Sequence, residues 1–321
     1  MTVLRKLWNY TWQKKWLKIP IIFLGIYILL LIIVPLPRPL FSSDYATVLE
    51  DREGQLLSAT LSKDEQWRFP PADSVPYKFA TAIRLFEDEY FYFHPGVNPV
   101  SLIRAAKQNI KAGEIVSGGS TITMQTIRLA LNKPRRSVPQ KLFEMHLALK
   151  LDLFYSKKSI LRMYTSHAPF GGNIVGVSAA SWRYFGRPPD MLSWSEAAAL
   201  AVLPNNPGAV FPGRAGGEFL RKRNFLIDKL HAKGYISSSE ALLAKDEKLP
   251  GQAKNLPRYA PHLLTRSIKE GMRGKTVRTS IDRNLQLQAM ERVNRYSQKM
   301  QANGINNAAA LVIGIESGNT L

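Results

Sequence analysis

The sequence predicts a mainly α-helical protein, with one apolar helix near its N-terminus and a short β-hairpin between that helix and the main domain. Residues 19–37 contain no charged residue, and about 20 apolar residues in a helix span a ~30 Å hydrocarbon core. From residue 77 to about residue 244 the hydrophobic pattern is mainly helical. Residues 47–61 alternate between apolar and polar on either side of a turn at 51–54, which predicts the hairpin.

The segment before the apolar helix predicts its orientation in a membrane. Residues 1–18 contain five basic residues, four aromatic residues and no acid. Basic flanks stay in the cytoplasm, and aromatic side chains lie at the lipid head groups. Pro35 and Pro37 follow where a cleaved signal peptide would have small residues. We therefore expect a cytoplasmic tail, a single transmembrane helix at 19–37 and an extracytoplasmic remainder; a buried core helix is the alternative.

The amino-acid composition limits the classes of partner. Lysine and arginine number 44 against 24 acidic residues, a net charge of +20. Such a charge favours an anionic partner, which could be nucleic acid, lipid head groups or a phosphorylated substrate. The apolar helix favours lipid, so no nucleic-acid partner is expected. The absence of cysteine excludes disulfides, thiolate zinc sites and a cysteine nucleophile.

The composition and the positions of proline and glycine divide the remainder of the chain into three parts. Residues 38–74 read as a proline-rich linker that contains the hairpin. Residues 75–245 form the predicted main domain. Residues 246–321 read as a second linker followed by the incomplete start of another domain, with a helix at RNLQLQAMERV, a strand at AAALVIGI and a turn at 316–319.

The first stretch with catalytic potential is LFEDEYFYFHPG, residues 85–96. Glu87, Asp88 and Glu89 lie beside aromatic residues. A partly desolvated carboxylate has a raised pKa and can act as a general base. The alternative is a solvated acidic turn beside core aromatic residues, and His94 taken alone is more typical of a structural residue.

The second stretch is SGGSTITMQ, residues 117–125. Its glycines and hydroxyl side chains could hold a phosphate or a sugar. The P-loop pattern is absent, and a plain connecting loop is the alternative.

The third stretch, residues 131–152, combines a basic cluster with a helix that starts near Ser137. Lys141 and Glu144 share one face of that helix. This arrangement could hold a pyrophosphate beside a second catalytic carboxylate. The alternative is an ion pair between these two residues on the protein surface.

Taken together, the stretches resemble the family 51 peptidoglycan glycosyltransferases, the polymerase domain of class A penicillin-binding proteins, over about residues 75–245. The family motif EDxxFxxHxG is intact at 87–96. The motif GGSTITQQ corresponds to 118–125, with Met124 in place of the first glutamine. The segment APFGGNIVGVSAASWRYFGRPP looks most like the C-type branch of these proteins.

The basic stretch is similar to the RKxxE motif of the family. Lys141 and Glu144 are retained, whereas Gln140 replaces the arginine. Upstream, Arg136 matches the arginine of the family's R-T pair.

Two further motifs are recognisable in the C-terminal half of the main domain. The motif KxxILExYLN resembles residues 157–166, with Arg162 in place of glutamate and Ser166 in place of asparagine. The motif RRxxVL resembles residues 222–227. These departures bear on reaction rate and substrate contacts, while both carboxylates of the family are kept.

The resemblance implies a lysozyme-like fold with a membrane-embedded jaw subdomain and an inverting reaction. Lipid II is joined into β-1,4-linked glycan, and undecaprenyl pyrophosphate is released. It implies that Glu87 is the general base and that Glu144 assists departure of the pyrophosphate, directly or through Mg²⁺ or Mn²⁺; no cofactor is expected to be obligatory. The residues expected to bind substrate are Asp88, Phe91, His94, Gly119, Ser120, Thr121, Thr123, Gln125, Arg136, Lys141, Lys157 and Arg223.

The expected partners are lipid II, the growing glycan strand, membrane lipid and other proteins of cell-wall synthesis. Residues 258–321 resemble the approach to a penicillin-binding transpeptidase domain, but neither SxxK nor KTG occurs in the sequence. No transpeptidase activity is therefore expected from this chain. Two alternatives to the polymerase are a lysozyme-like hydrolase, which the anchor and the basic cluster disfavour, and a non-catalytic protein that binds lipid II or acts as a scaffold.

Overall fold

The computed structural model describes residues 15–114, 118–132, 137–205 and 216–321. Its helices, numbered in chain order, are α1 (Lys15–Ile33), α2 (Tyr77–Glu87), α3 (Pro99–Ala112), α4 (Ile122–Leu131), α5 (Val138–Phe154), α6 (Lys157–His167), α7 (Val177–Phe185), α8 (Trp194–Val202), α9 (Gly216–Ala232), α10 (Ser238–Asp246), α11 (Pro261–Ser267) and α12 (Arg283–Gln301). The strands are β1 (Val48–Glu50), β2 (Leu56–Ala59), β3 (Trp67–Arg68), β4 (Ile174–Val175) and β5 (Thr276–Arg278). The predicted mainly helical fold is confirmed.

The predicted hairpin is present as the antiparallel pair β1–β2, in which Val48 faces Ala59. Its turn is stabilised by the Asp51 carboxylate, which accepts hydrogen bonds from the backbone N–H groups of Glu53 (2.8 Å) and Gln55 (2.7 Å). Strand β5 pairs with β1 in parallel, so the sheet has the order β2–β1–β5. The sequence did not predict this third strand, because its partner lies more than 200 residues away.

The chain forms two compact units, and two of the three boundaries between them, at 92/93 and 157/158, fall inside the predicted main domain. Unit one comprises residues 1–42 and 93–157, and unit two comprises residues 43–92 and 158–321. The domain boundaries predicted at 75 and 245 therefore stay sequence predictions.

Unit one contains α1, α3, α4 and α5, and within it α4 packs on α5 and α1 contacts α5. The buried Lys150 of α5 donates hydrogen bonds to the carbonyl groups of Ile32 and Val34 at the end of α1. The ring of Tyr27 meets His146 edge to face. Among the described residues, no helix combines the length and the apolar character that crossing a membrane requires. The span predicted at 19–37 is thus not confirmed.

Unit two is built around α8, which packs against α2 and α9. Every residue from Ala197 to Val202, within the run EAAALAVL, is buried, because alanine side chains allow neighbouring helices to approach closely. The predicted capping box is confirmed: Ser193 accepts a hydrogen bond from the N–H of Glu196, whose carboxylate accepts from the N–H of Ser193. The same device begins α10 at Ser237.

A second, smaller core in unit two joins the β-sheet to the C-terminal segment. Its buried residues are Leu49, Leu57, Ala260, Leu264 and Ile281. The predicted helix after this core is confirmed as α12, which Asp282 caps at its N-terminus.

The strand predicted at residues 308–315 is wrong. The segment makes only an isolated bridge between Ile313 and Thr320, and Ile315 is 99% exposed. An apolar run becomes a strand only where neighbouring strands satisfy its backbone groups, and only one such bridge forms here. The turn predicted at 316–319 is present, with a hydrogen bond from the Gly318 N–H to the Gly314 carbonyl.

Candidate active site

Glu87 is the last residue of α2 and is half-buried. The helix buries its apolar face, including Phe79, Ile83 and Leu85, so its C-terminal end is held firmly in unit two. Asp88 follows as the helix cap and is itself buried, and its carbonyl accepts a hydrogen bond from the N–H of the fully buried Phe91 (3.0 Å). The alternative of a solvated acidic turn is therefore wrong for Asp88.

Glu89 belongs to an ion-pair cluster that ties the end of α2 to α9. Lys229 lies 2.8 Å from the Glu89 carboxylate, and Lys233 contacts the same carboxylate. Lys229 also donates a hydrogen bond to the Leu85 carbonyl (2.7 Å). Hydrogen bonds from the two lysines lower the pKa of Glu89. Sequence reasoning missed Lys229, since nothing in the local sequence links α9 to residues that lie 140 or more positions earlier.

His94 and Lys157 lie together in unit one. His94 is buried, and its carbonyl accepts a hydrogen bond from the Lys157 ammonium (2.6 Å). The same ammonium lies 2.7 Å from the Asp152 carboxylate. Lys157 was predicted to neutralise a pyrophosphate, but in this arrangement its charge is engaged within the fold. The placement argues against direct contact with the substrate, because breaking these contacts would leave a largely buried carboxylate unpaired.

Gly96 is the last residue of the first family motif, and its backbone contacts both α5 and Thr121, the residue before α4. A Cβ atom added to Gly96 would lie 2.4 Å from the Ala148 carbonyl oxygen, so this backbone packs directly on α5. Thr121 is buried, donates a hydrogen bond from its hydroxyl to the Gly96 carbonyl (2.5 Å) and accepts one from the Met124 N–H at the start of α4. Thr121 was predicted to bind substrate, and the structure gives it this structural role instead.

This close packing predicts a large loss of stability for Gly96→Ala. Both Gly96 and Gly113 have a left-handed backbone, with φ of +77° and +71°, but nothing lies within 4 Å of a Cβ added to Gly113. Gly113→Ala should therefore lower the free energy of unfolding by about 1 kcal/mol through backbone strain alone. Gly96→Ala should lower it by about 3 kcal/mol or more, because the clash adds to the strain. Urea unfolding followed by circular dichroism measures both, and equal losses would contradict the packing described here.

Glu144, the second predicted carboxylate, is 4% exposed and faces the interior of unit one. It pairs with Arg128 of α4 through distances of 3.1 Å from Nε and 3.0 Å from Nη2 to its Oε2 atom. Arg128 Nη2 also donates to the Ser120 hydroxyl at 3.3 Å. The alternative of a surface pair between Lys141 and Glu144 is wrong. Sequence reasoning missed Arg128, because it lies between the second and third stretches and its partner is 16 positions away.

The remaining residues predicted in the glycine-rich stretch are mostly internal. Thr123 and Met124 are fully buried, and a Cβ added to Gly119 would lie 2.9 Å from the backbone of α3. Gln125 is half-buried, and its N–H donates to the Thr121 carbonyl (3.0 Å). Burial makes direct substrate contact through Thr123 incompatible with this structure, and Met124 fills a core position. Ser120 is half-buried, and its hydroxyl accepts a hydrogen bond from Arg128.

Arg223 does not have the predicted environment. It is 1% exposed, and its guanidinium donates hydrogen bonds to Ser195 Oγ and to the carbonyls of Lys245 and Glu247, at 2.7 to 2.9 Å. Burial lowers its pKa. The prediction that Arg223 neutralises a pyrophosphate is corrected: this guanidinium joins α8, α9 and the end of α10.

The basic cluster is only partly described by the structure. Lys141 is half-buried in the first turns of α5, whose N-terminus is capped by Ser137. Arg136 lies outside the described residues, so its predicted role stays a prediction.

The described residues do not form a donor set for a divalent metal. Within residues 15–114, 118–132, 137–205 and 216–321, no three Asp, Glu or His side chains converge as a metal site would need. Both carboxylate oxygens of Glu144 accept hydrogen bonds from Arg128. The described residues therefore do not fit a bound Mg²⁺ or Mn²⁺.

Residues 53–231 match the Transglycosylase family model, and the chain belongs to this family. The match covers both carboxylates and the glycine-rich stretch. It confirms the predicted relationship to the family 51 glycosyltransferase domain of class A penicillin-binding proteins.

Curated relatives agree with this assignment. Penicillin-binding protein 1C of Escherichia coli (strain K12) is 36% identical over 251 residues, which is 78% of this chain and 32% of that protein. Penicillin-binding protein 1A of Aquifex aeolicus (strain VF5) is 31% identical over 76% of this chain and 34% of that protein. The similarity to the 1C protein supports the predicted closeness to the C-type branch. The chain spans about a third of the length of these relatives.

Proposed function

We propose that this chain is a peptidoglycan glycosyltransferase that polymerises lipid II into β-1,4-linked glycan with release of undecaprenyl pyrophosphate. The observation that carries the proposal is the retention of two differently placed carboxylates within the Transglycosylase match. One is Glu87, half-buried at the end of α2. The other is Glu144, buried and paired with Arg128.

Glu87 would act as the general base on the acceptor sugar. A hydroxyl group is a weak nucleophile until its proton is removed in the transition state. Glu87 would take the proton of the acceptor 4-hydroxyl as that oxygen attacks the anomeric carbon of the growing strand. The α-linked pyrophosphate leaves from the opposite side, so the new bond has the β configuration. The cluster of Lys229 with Glu89 and the Leu85 carbonyl would hold the helix end that carries this base.

Glu144 would assist departure of the pyrophosphate through Arg128. A carboxylate that receives two donors of one guanidinium fixes the direction of that guanidinium. A fixed cation stabilises the charge that develops on a leaving pyrophosphate without having to reorganise during the reaction. Arg136 and Lys141 would add positive charge at the N-terminus of α5, which itself favours an anion.

This assignment predicts that the basic cluster acts specifically. Replacing Arg136 or Lys141 by alanine should lower turnover strongly even at high ionic strength, because short-range contacts are less screened than charges farther apart than ~10 Å. The matched control is the double variant Lys248→Ala with Lys254→Ala, which removes charge outside the cluster and should change turnover little. Polymerisation rates at low and high salt measure both. If the cluster variants and the control variant lose turnover equally, and if high salt removes both losses, the cluster serves only to attract an anionic membrane.

The site of action would be the inner membrane, with α1 as the anchor. Most apolar side chains of α1 are exposed, and unit one exposes further large apolar residues. The latter include Val100, Ile103, Ile110, Val138, Leu142, Leu153 and Phe154. Exposed apolar surface of this kind is typical of contact with lipid. The substrate is an anionic lipid, which also accounts for the net charge of +20.

The proposed topology predicts where a C-terminal reporter is active. Five basic residues precede the apolar segment, so the N-terminus should stay in the cytoplasm. Alkaline phosphatase fused after Leu321 should be active in intact cells, since it folds only outside the cytoplasm. A cytoplasmic reporter at the same position should be inactive, and the reverse pattern would overturn the topology.

The function itself is tested by adding labelled lipid II to the detergent-purified chain. Gel electrophoresis should show products that lengthen with time. Shortening of an added glycan strand would identify a hydrolase, and tight binding of lipid II without turnover would identify a non-catalytic protein. Either result would overturn the proposal.

A further inference from the structure

Unit two contains a cavity of about 460 Å³ that the proposed reaction does not use. It lies between strand β1, the proline-rich segment 69–76, helices α6 and α7 and the turn 188–190. Five prolines and the buried Trp182 line it, so its walls are rigid. Its volume lies in the range of about 300–1,000 Å³ that is usual for small-ligand sites, and charged and hydroxyl side chains line it beside the apolar ones.

Two departures from the family motif face this same cavity. Arg162 stands where the motif has glutamate, Ser166 stands where it has asparagine, and both line the cavity from α6. They are four residues apart on one helix and therefore share one face. The first exchange replaces a negative charge by a positive one, and the second shortens a side chain. The two departures thus alter the chemistry of a single site.

The charged residues of the lining place opposite charges on different walls. Arg162 supplies the cation from α6, and its side chain is exposed. Glu50, Asp73 and Asp190 supply carboxylates from β1, from the proline-rich segment and from the turn after α7. Among the described residues, Arg162 makes no ion pair with any of these three carboxylates. A ligand that satisfies both walls carries a carboxylate and an amino group.

We propose that this cavity binds a short peptide with a free carboxylate and a free amino group. Arg162 binds the carboxylate, Asp73 and Asp190 bind the amino group, and Trp182 with the prolines contacts the apolar part. A guanidinium suits a carboxylate because it can donate two parallel hydrogen bonds.

The position of the cavity indicates where such a peptide comes from. Pro76, which lines the cavity, immediately precedes α2, and Glu87 ends that helix. Eleven helical residues span about 16 Å at 1.5 Å per residue, and about five extended peptide residues cover the same distance. A peptide attached to the sugar at Glu87 could therefore reach the cavity. This identification of the ligand as the peptide of the disaccharide-peptide substrate rests on the proposed function.

Direct binding tests the cavity without any need for catalysis. The probe is a lysine-containing pentapeptide with an acetylated N-terminus and a free C-terminal carboxylate, titrated calorimetrically into the detergent-purified chain. Amidation of its carboxylate or acetylation of its lysine should each weaken binding about tenfold, the loss expected for one charged hydrogen bond. Arg162→Glu restores the family residue and should weaken binding of the free-carboxylate probe at least as much. Circular dichroism checks that this variant is folded.

The matched control is Arg295→Glu, which makes the same change of charge on the exposed α12 and should leave binding unchanged. If Arg162→Glu and Arg295→Glu bind the probe as tightly as the original chain, or if no binding is seen at all, the cavity is not a peptide site.

The two sources of the peptide are separated by repeating the titration with the peptide linked to its disaccharide. Glu87→Gln should bind this compound normally, and Arg162→Glu should raise the KM for polymerisation and leave kcat nearly unchanged. If Arg162→Glu weakens binding of the free peptide but not of the peptide linked to its disaccharide, the site is assigned to free peptides. That result would overturn the link to the substrate. Peptide binding in a chain that never polymerises lipid II would overturn the proposed function and leave the peptide site standing.

Discussion

Glu87→Gln is expected to lower the rate of lipid II polymerisation by about 10²-fold or more, the lower end of what general base catalysis contributes. Glutamine has nearly the same shape as glutamate but cannot accept the proton of the acceptor hydroxyl. Glu87 ends α2, whose buried face is unaffected by the exchange. The loss should therefore appear in kcat, while the thermal stability of the chain should change little.

Glu89→Gln is the matched control for this prediction. Glu89 lies two residues after Glu87, and its carboxylate forms ion pairs with Lys229 and Lys233. Its amide variant keeps an oxygen that accepts a hydrogen bond from a lysine, and Lys229 keeps its hydrogen bond to the Leu85 carbonyl, so the end of α2 should stay in place. We expect a mild effect on turnover, measured as the initial rate with labelled lipid II. A larger loss for Glu89→Gln than for Glu87→Gln would show that the general base is misplaced.

Glu144→Gln is expected to be nearly as damaging, but with a second effect on folding. Removing the charge leaves Arg128 without its counter-ion inside unit one. Because the Arg128 side chain is 26% exposed, the free energy of unfolding should fall by about 2 kcal/mol, which is less than for breaking a fully buried pair. Turnover should fall about 10²-fold, since Arg128 would no longer be fixed towards the leaving pyrophosphate.

A double variant separates these two effects. Replacing both Arg128 and Glu144 by methionine removes the buried charges together, and such exchanges are often neutral for stability. The double variant should therefore unfold at nearly the temperature of the original chain and should still fail to polymerise lipid II. An active double variant would show that the pair is needed only for folding.

The sequence alone determined the features that depend on a few neighbouring residues. The capping boxes at Ser193 and Ser237, the hairpin turn at Asp51 and the start of α5 after Ser137 are confirmed. Each is specified by a side chain that bonds to backbone groups within about four positions. The motif pattern likewise led to the family, because its residues keep their order along the chain whatever their tertiary contacts.

Only the tertiary structure decided what each charged side chain does. Lys157 and Arg223 were predicted beside a pyrophosphate but are engaged inside their own units, whereas Arg128, which the sequence did not single out, pairs with Glu144. The apolar run 308–315 likewise failed to become a strand. A lysine or arginine has the same charge at a surface, in a core or at an active site. Its partner is chosen by packing among residues that are far apart in the sequence, and burial then decides whether that charge can meet a substrate.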